Sequence, residues 1–84
     1  MTSQIIVLLL ATSVSAECQF TRWWADRALS VVESGLAEDR WQIFEEGYPK
    51  PIYDAIIGIR REAYHDQPAL RKRVNAACAV KVET

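Results

Sequence analysis

Glycine and proline are scarce, three of each in 84 residues, and histidine occurs once. The three scattered glycines build no glycine-rich phosphate loop. A lone His65 leaves a metal centre short of ligands and gives no serine or free cysteine an evident base. The two cysteines, Cys18 and Cys78, are too far apart in sequence for a Cys-x-x-Cys redox pair. Basic residues are not in excess. The net charge is −1, where a nucleic-acid binder normally shows a clear positive surplus. No stretch alternates convincingly at period two, and there is neither an internal repeat nor a low-complexity tract. These absences point away from nucleic acid, cofactor and metal, and toward a small helical protein without a catalytic constellation.

What is present begins with an apolar leader. Met1 to Ala16 contains no charged side chain, and Ile5 to Ala11 is an unbroken apolar block. That block is too short to span a bilayer comfortably and fits a removable secretory signal, with Val14-Ser15-Ala16 suiting a signal peptidase. The n-region lacks Lys and Arg, so a slowly released, membrane-tethered form is the alternative. The expected organisation is a signal peptide over 1–16 and one helical domain over 17–84, exported to the periplasm or beyond and holding no stable membrane span after cleavage. Export would place Cys18 and Cys78 in an oxidising compartment, where they are expected to form a disulfide. Such a bridge closes a loop of about 60 residues, worth roughly 4 kcal/mol in the chain-entropy model, and the 68 residues after Ala16 are few for an unaided core.

The glycines and prolines divide the rest into four stretches, at Ser34-Gly35, at Gly47 to Pro51, and at Asp66 to Pro68. The first is predicted as a helix over about Cys18 to Ser34, closed by Gly35. Its apolar half-circle holds Cys18, Phe20, Trp24, Ala25, Ala28, Leu29, Val31 and Val32, and Trp23 alone projects from the polar half. A short helix is predicted over about Glu38 to Glu46, with Ala37, Trp41 and Phe44 on one side. A third, broadly apolar helix is predicted after Pro51, carrying Arg60 among Tyr53, Ile56, Ile57 and Tyr64. The fourth is predicted from Asp66 or Gln67 as N-cap, with Pro68 in its first turn and a seam of Leu70, Val74, Ala77 and Cys78. The fold class is therefore all-α, a small three- to four-helix bundle stapled by one disulfide between the first and last helices. Net charge is −4 from Glu17 to Glu46 and +3 from Gly47 to Thr84, so the two halves should attract within one fold.

Chemistry-bearing groups are few. His65, beside Asp66, reads as a solvated residue in the last turn of a helix, where partial positive charge is favourable. Glu38, Asp39, Glu45 and Glu46 read as a solvated face rather than an acid–base pair. Arg60 has Glu62, Asp54 or the Tyr64 ring as candidate neighbours, or simply snorkels at the bundle edge. Trp23 is the foremost candidate for a partner contact, since tryptophan unites a large apolar body with a polar atom. A fold-over by the second helix or the Tyr48–Pro51 loop is the structural alternative. Arg71, Lys72 and Arg73 lean outward early in the fourth helix, where the dipole does not favour them, and form a basic rim for an acidic partner.

The layout of Cys18 opening the chain, Ser34-Gly35 ending the first helix, Ala63-Tyr64-His65-Asp66-Gln67-Pro68, and Ala76-Ala77-Cys78 as the close resembles small exported two-cysteine helical proteins of proteobacteria and their phages. That resemblance implies the fold, the bridge and export, and it lends no active site. The uncharged leader and the tail Val80 to Thr84 are more loosely similar to phage antiholins, whose exported helical domain binds the periplasmic part of a holin to delay lysis. A third similarity, in size and single disulfide, is to acid-stress periplasmic chaperones. The leading expectation is a non-catalytic periplasmic module that binds another protein and regulates or inhibits it, with a small stress chaperone as the alternative and a lysozyme-like hydrolase third.

Overall fold

The computed structural model describes residues 15–44 and 47–79. The leader as far as Val14, the acidic pair Glu45 and Glu46, and the tail from Val80 lie outside the described residues. Among the described residues the chain is all-helical: α1 (Ala16–Glu33), a 3-10 turn (Glu38–Arg40), α2 (Lys50–His65) and α3 (Gln67–Cys78), with no strand.

Each boundary has a local cause. α1 starts at Ala16, earlier than the sequence predicts, because the Ser15 hydroxyl accepts a hydrogen bond from the Cys18 N–H at 3.0 Å. It ends where Gly35 takes φ +84°, a left-handed conformation that costs glycine nothing, and where the Gly35 N–H reaches the Val32 carbonyl at 3.1 Å. Pro51 sits in the first turn of α2, where a missing N–H leaves no bond unmade. Asp66 joins α2 to α3 by itself. Its N–H closes α2 on the Glu62 carbonyl at 2.8 Å, and its carboxylate accepts the Ala69 N–H at 3.2 Å to open α3.

The predicted second helix is not formed. Only Glu38–Arg40 is helical, as one 3-10 turn, and Trp41 leaves it with extended backbone. The cause is tertiary. Trp41 is buried in the core, and its carbonyl accepts from the Arg60 guanidinium at 3.0 Å instead of continuing a helical ladder. A segment this short is marginal as a helix in isolation, so a few long-range bonds decide its shape. Phe44, predicted on the same side as Trp41, is instead 77% exposed.

The three helices pack on one another around a thin core. Cys18, Thr21, Ala25 and Ala28 form the buried stripe of α1, and Phe20, Trp24, Leu29, Val31 and Val32 lie half-buried along its margins. α2 contributes Ile56, Ile59 and Ala63, and α3 contributes Leu70. Alanines at 25, 28 and 63, all essentially inaccessible, let the helix backbones approach closely. Cys18 and Cys78 are joined in a disulfide with 4.6 Å between their Cα atoms, which ties the start of α1 to the end of α3.

Gly58 has a packing role inside α2. A Cβ built there would lie 2.9 Å from the Arg73 guanidinium of α3, which passes over it to bind Glu62. A mid-helix glycine costs about 1 kcal/mol relative to alanine, and here that cost makes room for the crossing side chain.

Two outcomes follow. Reducing the oxidised protein should lower its melting temperature by roughly 10 °C or more, from a loss on the order of 2–5 kcal/mol, read by circular dichroism with and without reductant. Gly58→Ala should be near neutral in the native background yet stabilise an Arg73→Ala protein by about 1 kcal/mol, a difference that a double-mutant cycle in urea measures.

Candidate functional site

Trp23 stands on the side of α1 opposite the buried stripe and is 57% exposed. Among the described residues no loop side chain makes a ring or cation contact with it. Its ring meets Trp24 edge-on at 4.9 Å between centroids, and the Arg27 guanidinium lies over its face at 5.7 Å. The indole is thus held by its own helix and still open to a partner. Beside it is a hollow of about 360 Å³ lined by Trp23, Asp26, Arg27, Ser30 and Val31.

Aromatics continue from there. Trp24 is half-buried at the margin of the core and meets Tyr48 at 6.4 Å, nearly perpendicular. Trp24, Tyr48, Phe44 and Arg27 border a second hollow of about 210 Å³. Arg27 lines both hollows, the mixed one beside Trp23 and the more apolar one beside Trp24. The sequence places Phe44 beside Trp41 on one side of a second helix and Tyr48 in the following loop, and neither as a contact residue, because their exposure depends on the loop that Trp41 anchors. The one available signal was an aromatic on each side of Gly47.

The basic triplet does not act as a unit. Arg71 and Lys72 are exposed, and their side chains make no hydrogen bond or ion pair with any described residue. Arg73, predicted to lean outward, turns back onto α2 and grips Glu62 with two bonds of 2.6 and 2.8 Å. Those hydrogen bonds hold its guanidinium above its ordinary pKa, with burial opposing them, so its charge is committed to the helix pair and not to the outward rim. No hydrogen bond, ion pair or ring contact connects Trp23 with Arg71, Lys72 or Arg73 among the described residues.

Arg60 finds a partner that local spacing did not suggest. Glu62 is taken by Arg73, and Asp54 is bonded to Lys50 at 3.5 Å. Arg60 turns instead to the 3-10 turn, with Nε 3.9 Å from Glu38 and a terminal nitrogen on the Trp41 carbonyl. That Nε is buried and has no hydrogen bond. The other carboxylate oxygen of Glu38 meets His65 Nε2 at 2.6 Å, and the Tyr64 hydroxyl donates to the Leu36 carbonyl at 2.8 Å. The cleft beside this cluster, about 550 Å³, is open and lined by Glu38, Asp39, Trp41, Phe44, Tyr53 and Arg60. Glu38 is occupied on both oxygens, which makes it an anchor for the loop. His65, read as solvated, is exposed but bound to that anchor.

Among the described residues no group of His, Cys, Asp and Glu could hold a metal ion, and no helix is long and apolar enough to cross a membrane. Compared with protein-family models, curated proteins and solved structures, the chain has no match in any of the three.

The two tryptophans with opposite surroundings should respond in opposite ways. Trp23→Ala should leave unfolding free energy within about 0.5 kcal/mol of the native value. Trp41→Ala should cost about 3–5 kcal/mol, because it empties the core and releases the loop. Chemical denaturation of both variants checks the contrast.

Proposed function

We propose that this stapled three-helix bundle is an exported, non-catalytic module that binds another protein through the Trp23 face of α1 and regulates or inhibits it. The observation that supports this most directly is the position of Trp23. A large aromatic is held in place on the solvent side of α1, where neither the core nor the loop needs it. Tryptophan presented on a rigid element is a common energetic anchor at interfaces. The adjoining hollows would receive apolar side chains of the partner, and Arg71 and Lys72 would steer an acidic surface toward the module, chiefly by raising the association rate. A periplasmic location, release of the leader after Ala16, and control of phage lysis in the manner of an antiholin make up the specific form of this reading.

Exposed Phe44 favours a second reading as a small periplasmic stress chaperone, because an apolar side chain on a loop suits weak contact with unfolded chains. The two differ in selectivity.

Capture with the oxidised domain as bait from a periplasmic extract should retain one folded protein. Trp23→Ala should reduce that capture by at least tenfold without changing the melting temperature. A broad set of unfolded proteins, retained equally by the variant, would favour the chaperone and reject the Trp23 contact.

A further inference from the structure

The outward face of α1 is complementary to itself. It carries Arg22, Asp26, Arg27 and Glu33, two residues of each sign, all exposed, around the exposed Trp23 and Ser30. At about 100° per residue, Trp23 and Ser30 lie within about 20° of one another and define a line along the helix. Asp26 stands about 60° from Trp23 to one side of that line and Arg27 about 40° to the other, with only about 1.5 Å between them in height. Opposite charges therefore flank the indole at nearly the same level.

We propose that a second copy of this chain docks on this face, with the two α1 helices side by side and parallel about a two-fold axis running along the Trp23–Ser30 line. Such an axis sets the left flank of one helix against the right flank of the other. Asp26 of each copy then meets Arg27 of the other, forming two symmetric ion pairs, while the two Trp23 indoles meet between them. Ser30, one heptad further on, is the small residue that allows the backbones to converge. The hollow of about 360 Å³ that Trp23, Asp26, Arg27 and Ser30 line is the space the facing copy fills. An antiparallel arrangement would instead bring like flanks together and oppose Arg27 to Arg27, which favours the parallel one.

From Arg22 to Glu33 the seam is only about 16 Å long, which places the interface at the small end of specific contacts and makes the dimer reversible. The inference rests on the reading of Trp23 as a contact residue. It also gives that contact a regulation, because self-association hides the indole and any other partner must compete with the second copy for it.

Sedimentation velocity of the oxidised protein between about 10 µM and 1 mM tests the proposal, with thermal melts confirming that each variant is folded. The expected result is a concentration-dependent dimer that Trp23→Ala weakens about thirtyfold. Asp26→Arg and Arg27→Asp should each weaken it tenfold or more, and combining the two should restore it, because the exchanged charges again face opposite signs. A native protein that stays monomeric at about 1 mM overturns the second copy as occupant. A combined variant no better than either single one overturns the Asp26–Arg27 pairing and with it the parallel axis. Neither result touches the proposed contact with another protein, which is read separately from the loss of capture by Trp23→Ala.

Discussion

The Cys18–Cys78 bridge is the constraint on which the rest of this small fold depends. Among the described residues Ile56, Ile59 and Leu70 are the large side chains buried almost completely, and a core of that size offsets little of the conformational entropy lost on folding. The bridge reduces that loss at its source, in the unfolded chain, by closing a 60-residue separation. Its placement matters as much as its presence. Cys18 lies in the first turn of α1, and Cys78 is the last residue of α3. The two termini most prone to fray are the two that are tied.

A second set of interactions does for the loop what the bridge does for the ends. Residues 35–44 have no regular structure beyond one 3-10 turn, yet they deliver Trp41 into the core. They are held at four points of α2-derived contact: Arg60 on the Trp41 carbonyl, Arg60 near Glu38, Tyr64 on the Leu36 carbonyl, and His65 on Glu38. Three α2 residues over two turns thus grip one loop. The unbonded Arg60 Nε is the weak member, since a buried donor without a partner is costly. Its proximity to Glu38 offsets that cost only in part at 3.9 Å. Tolerating it is consistent with the position of Arg60, whose other nitrogen fixes the backbone at the residue where the loop enters the core.

Periodicity and punctuation made most of this fold legible. Gly35, Pro51 and the Asp66-Gln67-Pro68 sequence mark helix ends because each acts on its own backbone, and local causes can be read locally. The seam of α3 and the exposure of Trp23 were legible for the same reason, since a helix wheel needs only the helix. What sequence could not supply were outcomes fixed by distant residues. Glu38 to Phe44 has helical spacing, but the loop follows Trp41 into the core and the Arg60 bond to its carbonyl. Arg73 has outward spacing, but Gly58 and Glu62 on another helix open a berth for it. The assignment of Glu62 to Arg73 then leaves Arg60 to the loop, so one long-range pair redirects a second. Neither could be ranked from neighbours in sequence.

The division of labour along α1 follows from these facts. Its inner stripe is small and close-packed, with Ala25 and Ala28 against α2 and α3, so that face has almost no freedom to vary in size. The outer face carries nothing the fold requires. Among the described residues the ring of Trp23 meets Trp24 and Arg27 of its own helix, and it takes no part in the buried core, the bridge or the loop anchors. A bulky aromatic in water lowers solubility and raises the risk of association, which is a disadvantage unless something covers it. The fold itself leaves the indole uncovered, and the balanced charges around it neither repel a neutral partner nor select strongly for one sign. That combination, an apolar centre within an electrically balanced rim, is the surface chemistry of a contact that forms and dissolves.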